Sequence, residues 1–201
     1  AKGKWSKEFE NKYCEKYSYK HGVSNNSGSS ANLLMLSVLT SKLTEDHLKR
    51  GDEIILPALT WSTTVWPVIQ MGLVPVYIDC DLDSFNIDTD KIEQAITSKT
   101  KAIFSVPIYG NPCNMNSIIA IAEKYGLAVI EDAAEAIGTV YKGRKAGSIG
   151  KFGTFSFHGS KTMTTGEGGM LVTNDRTLYH KVLVLNNHGR GLRQNTHFWA
   201  E

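Results

Sequence analysis

Lys161 stands where the character of the chain changes. Phe152 to Phe157 is an apolar, β-prone run; Gly159-Ser160-Lys161-Thr162 is small and polar; Gly166-Glu167-Gly168-Gly169 then turns the chain into a second β-prone run, Met170 to Thr173. The pattern predicts a lysine on a loop at the end of a strand. An amine shielded from water by apolar neighbours is available as a nucleophile toward a carbonyl. A lone loop lysine more often points into solvent, because burying an unpaired ammonium is costly. A second feature changes the reading. Leu127 to Ile130 is a short apolar strand followed at once by Glu131-Asp132-Ala133-Ala134-Glu135-Ala136. An acid at the carboxyl end of a strand in an α/β protein lies where ligands bind.

An amine that can condense with an aldehyde and an acid that can face a pyridinium nitrogen are the two protein groups that pyridoxal phosphate (PLP) requires. Asn26-Ser27-Gly28-Ser29-Ser30 leads into the apolar run Ala31 to Leu39, which predicts a helix whose unpaired first-turn N–H groups favour an anion. The serines could also do no more than cap that helix.

The elements that must position these residues alternate. Strands are predicted at Glu53 to Pro57, Val74 to Asp79, Lys101 to Val106 and Leu127 to Ile130. Helices are predicted at Trp5 to about His21-Gly22, over Asp88 to Ile96, over Ile118 to Tyr125 closed by Gly126, and from Asp175 to His188. Trp5, Phe9, Tyr13 and Tyr17 recur every fourth residue and predict one buried helical face. Thr60 to Pro67 reads as helical with Pro67 near its start, and Gly110-Asn111-Pro112 as a turn. Such alternation indicates βαβ units and a mainly parallel sheet covered on both faces.

Composition narrows the function classes. The chain has 201 residues, 41% hydrophobic and 21% charged, with a net charge of +2, which predicts one globular domain. No basic cluster with interleaved aromatics speaks for a nucleic-acid partner. No run reaches transmembrane length and no signal-like apolar region is evident, so a cytoplasmic protein is expected. Cys14, Cys80 and Cys113 are widely spaced, as free thiols would be. The six histidines lack metal-site spacing, and Asn25-Asn26-Ser27 reads as an accidental sequon. Gly159-Ser160-Lys161-Thr162 has Ser160 where a P-loop needs Gly, and the Gly143 to Gly150 segment fails the dinucleotide-binding spacing.

Three stretches together, FSFHGSKTMTTGEGGMLVTND, EDAAEAIG and NSGSSANL, resemble the DegT/DnrJ/EryC1/StrS family of PLP-dependent sugar aminotransferases, within the fold-type I enzymes. The resemblance runs over essentially the whole chain. It implies a fold-type I large domain with a mainly parallel mixed sheet and helices on both faces. It also implies that Lys161 carries PLP and that Asp132 faces the ring nitrogen. Ser29, Ser30 and Ser156 fall on phosphate-contacting positions, Trp61 and Ala134 on opposite faces of the ring, and Glu135 near the ring hydroxyl. Ala134 suits its place, since a larger side chain would push the ring off Asp132.

The implied activity is transfer of an amino group from an amino acid, glutamate by preference, to a nucleotide-linked keto sugar in polysaccharide or lipopolysaccharide synthesis. EDAAEAIG and the lysine block look most like enzymes that aminate C4 of 4-keto-6-deoxy sugars. SGSSANLL and TTVWPVIQMGLVPVYIDCDLDSFNID look more like the 3-dehydratase branch, which carries His where this chain has Lys161. A dehydratase-like enzyme and a non-catalytic PLP-binding fragment are the alternatives. Family members run longer, with an N-terminal arm and a C-terminal small domain, so residues 1–201 are expected to be the large domain alone, part of a homodimer, with no metal.

Overall fold

The computed structural model describes residues 3–190. Its strands are β1 (His21–Asn25), β2 (Glu53–Pro57), β3 (Val74–Ile78), β4 (Thr100–Ser105), β5 (Ala128–Asp132), β6 (Val140–Tyr141), β7 (Arg144–Lys145), β8 (Phe152–Ser156) and β9 (Gly169–Thr173). Seven of them form one sheet in the order β1-β9-β8-β5-β4-β2-β3. The pairings from β8 through β5, β4 and β2 to β3 are parallel, whereas β9 runs antiparallel to both β8 and β1. Six strands therefore point one way and β9 alone points back. This is the expected mixed, mainly parallel sheet.

The helices are α1 (Lys4–Tyr17), α2 (Gly28–Thr40), α3 (Ser62–Gln70), α4 (Met115–Tyr125) and α5 (Arg176–Leu185). Successive strand residues point to opposite faces, and the buried clusters follow that alternation. Ile54, Leu56, Phe104, Ile130 and Phe152 pack with α2, α3 and α5 on one face. Ile55, Ile103 and Val129 pack with α4 on the other, where α1 adds an aromatic cluster of Tyr13, Tyr19, Phe155 and Phe157. The same alternation aims Asp132, Thr154 and Ser156 at the face that α2 covers.

Several local expectations need correction. α1 ends at Tyr17, short of His21, because Ser18 takes a left-handed conformation (φ 62°) and the Tyr19 N–H reaches back to the Cys14 carbonyl at 2.9 Å. The residues expected to close that helix form β1. Its apolar stripe is buried at Tyr13, while Trp5 is exposed. Asp88 to Ile96 forms two 3-10 turns, Thr89–Lys91 and Glu93–Ala95, around the fully buried Ile92. Pro67 lies inside α3, not near its start. α4 begins earlier than expected, with Asn114 capping the Ser117 N–H, and α5 stops at Leu185. The β6–β7 hairpin was not anticipated; Lys142 and Gly143 both take positive φ, as a two-residue hairpin turn of type I′ requires. The cysteines are free, with Cys14 and Cys113 buried. Among the described residues no helix is long and apolar enough to cross a membrane.

Met35 is fully buried at the centre of the α2 layer. Met35→Ala is expected to cost about 2 to 5 kcal/mol, the range for truncating a buried residue of this size. It should appear as a lower urea midpoint with an unchanged m value.

Candidate functional site

β5 carries two adjacent acids that leave the sheet on opposite faces. Glu131 enters the α4 side, where both of its oxygens are taken: the Gly147, Ile149 and Gly150 N–H groups donate to it, each at 2.7 Å. Burial pushes this carboxyl up from its ordinary range, and the three amides pull against that shift. Glu131 thus fastens the segment after β7. That segment must lie close, since a Cβ on Gly153 of β8 would meet the Gly147 carbonyl oxygen at 2.2 Å.

Asp132 enters the α2 side and is also buried. Its Oδ2 accepts from Asn32 Nδ2 at 2.8 Å and from Thr64 Oγ1 at 2.7 Å, and its Oδ1 accepts from the Ala134 N–H at 3.2 Å. Three donors suit a carboxylate, which only accepts. Asn32 has a further task. Pro67 has no amide proton to give the carbonyl four residues before it, and Asn32 Nδ2 donates to that carbonyl, Thr63 O, at 3.2 Å. One buried amide therefore links α2, the proline-interrupted α3 and the end of β5. Trp61 stands at the N-cap of α3 and is 76% exposed, three residues before the threonine that holds Asp132.

Lys161 lies on the loop between β8 and β9, as expected. The loop is closed by the Phe157 N–H on Gly168 O (2.8 Å), the Thr165 N–H on Phe157 O (3.0 Å) and the Lys161 N–H on His158 O (2.9 Å). The expected apolar shielding is not what surrounds the amine. Lys161 Nζ donates to Glu135 Oε1 at 3.1 Å, and the lysine side chain is 25% exposed. Glu135 Oε2 in turn accepts from the Tyr109 N–H at 2.9 Å, an amide presented by a residue in left-handed backbone (φ 53°). Partial burial opposes ionisation of Glu135, yet the Tyr109 amide and the Lys161 ammonium hold its carboxyl below the usual range.

The serines converge from two elements. Ser27 caps α2 by accepting from the Ser30 N–H at 3.1 Å, which leaves the earlier amides of Gly28 and Ser29 at a helix start that favours anions. Ser29 and Ser30 border a groove of about 410 Å³ that Thr63 and Trp66 also line. Ser156, at the end of β8, is pressed against this turn: a Cβ on Gly28 would meet Ser156 Cβ at 2.8 Å, and one on Gly169 would meet Ser27 O at 2.2 Å. Only glycine permits either approach.

The residues expected from sequence thus fall into two linked groups. Asp132, Ala134, Glu135 and Lys161 gather after β5, with Trp61 joined to them through Thr64. Ser29, Ser30 and Ser156 form a cradle at the start of α2. Sequence reasoning missed Asn32, Thr64, Thr154 and Tyr109. A signal existed for Asn32, a single amide inside the apolar run Ala31 to Leu39, since a buried amide needs partners. None existed for Tyr109, whose contribution is a backbone N–H in an unusual conformation.

A family model described as the DegT/DnrJ/EryC1/StrS aminotransferase family matches residues 1–201. The chain is 42% identical over 201 residues to GDP-perosamine synthase of Escherichia coli O157:H7, covering 100% of this chain and 53% of that one. It is also 42% identical over 203 residues to GDP-4-keto-6-deoxy-D-mannose 3-dehydratase of Yersinia pseudotuberculosis, covering 99% and 51%. A crystal structure of GDP-4-keto-6-deoxymannose-3-dehydratase with a trapped PLP-glutamate geminal diamine superposes with a TM-score of 0.88 at 40% identity, over 93% of this chain and 48% of that one. The chain spans about half the length of the curated relatives it matches.

The Glu135 shift sets a pH dependence. A carboxyl whose folded value lies below its unfolded value, near 4.5, stabilises the fold fully above that value and ceases to do so as pH falls through the folded one. Glu135 is 38% exposed, so solvent screening limits the effect to less than about 1 kcal/mol. Glu135→Gln is expected to flatten the acid limb of the stability curve below pH 4.5 by that amount, as measured by urea midpoints.

Proposed function

This chain belongs to the DegT/DnrJ/EryC1/StrS aminotransferase family, and we propose that the whole protein is a PLP-dependent aminotransferase. It would move an amino group from an amino acid, glutamate by preference, to C4 of a nucleotide-linked 4-keto-6-deoxy sugar. The relatives' names favour GDP as the nucleotide. In this reading residues 1–201 form one cofactor-binding large domain, and the protein works as a cytoplasmic homodimer.

The cofactor fits the residues present. Glycine at position 28 lets Ser156 close on the start of α2, where unpaired amides favour an anion, so Ser29, Ser30 and Ser156 would hold the phosphate. Asp132 would face the ring nitrogen. Trp61, whose side chain is exposed, and Ala134 would bracket the ring, with Glu135 near its hydroxyl. When bound, PLP supplies a protonated aromatic ring that takes up the electron pair left when a donor's Cα–H bond breaks and carries the amino group between substrates.

The remaining work belongs to the protein. Lys161 would hold the cofactor through its aldehyde, and its Nζ, as a free amine, would take the proton from the donor's Cα. Glu135 Oε1, which accepts from that nitrogen at 3.1 Å, would orient the amine. Asp132 would accept from the ring nitrogen's N–H and so hold the proton at that atom. The Asn32 and Thr64 donors prevent it from turning away.

Lys161 is the observation that carries the proposal. The synthase and the dehydratase match this chain at the same 42% identity, so overall similarity does not separate them. An amine at the position where the dehydratase branch carries imidazole does, because only the amine can hold the cofactor covalently and relay a proton as a primary amine.

Borohydride treatment of PLP-loaded protein should fix the cofactor to Lys161, and Lys161→Ala should abolish that adduct without loss of fold. PLP still covalently attached in the variant, detected by intact mass, would refute the assignment. Asp132→Asn should retain PLP but lose roughly 10- to 100-fold in turnover, the equivalent of a hydrogen bond to a charged group. Near-normal turnover would make Asp132 structural. The product with glutamate and a GDP-linked 4-keto-6-deoxy sugar separates the alternatives: an amino sugar supports transamination, and a 3-deoxy sugar supports the dehydratase.

A further inference from the structure

We propose that Asn32 and Thr64 are positioning residues that give the two oxygens of Asp132 different tasks, with Oδ2 held by the protein and Oδ1 left for the ring nitrogen of the cofactor. The proposal rests on the PLP reading above and deepens it. Each carboxylate oxygen has two lone-pair sites. On Oδ2 both are used, by Asn32 Nδ2 at 2.8 Å and Thr64 Oγ1 at 2.7 Å. Oδ1 accepts a single longer bond, from the Ala134 N–H at 3.2 Å. One site therefore remains on Oδ1 and none on Oδ2.

The donors are themselves fixed in direction. Thr60 Oγ1 donates to Thr64 Oγ1 at 2.9 Å, so the Thr64 hydroxyl proton is turned toward Asp132. Thr154 Oγ1 donates to Asn32 Oδ1 at 2.6 Å, which determines the side of the amide that carries the NH₂ and aims it at Asp132. Thr154 has the Glu131 carbonyl as a further acceptor at 3.4 Å, a much longer contact. Two chains of hydroxyl and amide donors thus start on β8 and ahead of α3 and converge on one oxygen. Asn32, Thr64 and Thr154 are all buried, and in so dry a setting each bond polarises the next.

The chemical consequence concerns the location of one proton. With Oδ2 taken by two donors, Oδ1 is the oxygen left to accept from an N–H, and it would hold a proton at the ring nitrogen. Without those donors the carboxyl would be free to turn, and the nitrogen's N–H would lose its acceptor. Asn32 and Thr64 act on the reaction only through Asp132.

The test uses the whole protein loaded with PLP that is ¹⁵N-labelled at the ring nitrogen, whose chemical shift reports its protonation directly. The unaltered protein is expected to give the pyridinium position. Thr64→Val, which keeps the branched shape and removes the donor, and Asn32→Leu should each move the shift toward neutral pyridine, an about ten-fold or larger change in the nitrogen's protonated-to-neutral ratio. Thr64→Ser should restore the pyridinium signal. If Asn32→Leu does not fold, the Thr64 pair decides the matter. A merely structural role would lower the melting temperature of Thr64→Val and leave the nitrogen shift where it was, which overturns this proposal alone. Failure of the unaltered protein to bind PLP overturns the cofactor reading and this proposal together.

Discussion

The buried carboxylate of Asp132 is the constraint around which the rest is arranged. Taking a charged group out of water costs far more than any single packing contact returns, unless donors replace the lost hydration. Asp132 obtains its donors from three places: Asn32 on α2, Thr64 on α3 and the Ala134 amide beyond β5. Each lies on a separate element, so the carboxylate is satisfied only when all of them are docked. That requirement explains why α2 packs across β8 and β9 and beside α3, and why a polar residue is kept at position 32 in an otherwise apolar helical run.

A second economy follows from the proline in α3. An interior proline leaves a carbonyl without its partner, and here the same amide that serves Asp132 serves Thr63 O as well. The defect in one helix and the charge at the end of a strand share one remedy. Across the sheet, Glu131 shows the opposite arrangement: an acid that is also buried is answered by backbone amides from one short loop. Neighbouring acids on one strand thus differ in what binds them. Glu131 is enclosed by main chain, whereas Asp132 keeps an oxygen with an unused lone pair.

Much of this was legible in the sequence because it is written in residue type and period. The strand at Glu53 to Pro57 agrees with the structure to the residue, Gly126 closes α4 in left-handed backbone, and Lys161 lies on its loop. The errors have physical causes. Ser18 ends α1 through a conformation that serine seldom adopts, and Lys142 turns a hairpin in the same way; neither is announced by residue type. Nor could the sequence show that Lys161 meets Glu135, since that contact depends on how the β8–β9 loop folds over the segment after β5. The Asp132 donors were missed for a related reason: a threonine inside an apolar stretch reads as a strand former until its partner is known. Residues 191–201 lie outside the described residues.

The reversed strand β9 has a consequence for how the chain reaches this arrangement. β1 leaves α1 early in the sequence, yet its partner in the sheet is β9, with His21 opposite Thr173 and Asn25 opposite Gly169. β2, β3, β4 and β5 find their neighbours within shorter stretches of chain, but β1 has none until β9 exists. On a ribosome that makes the protein from its N-terminus, β1 waits with its hydrogen-bonding edges open while most of the sheet emerges. The α2 cradle depends on the same late event, because Gly169, the residue that lies against Ser27, is the first residue of β9. Synthesis therefore completes the Ser27–Gly169 contact and the Lys161 loop at almost the same moment, after the strands that support them have formed.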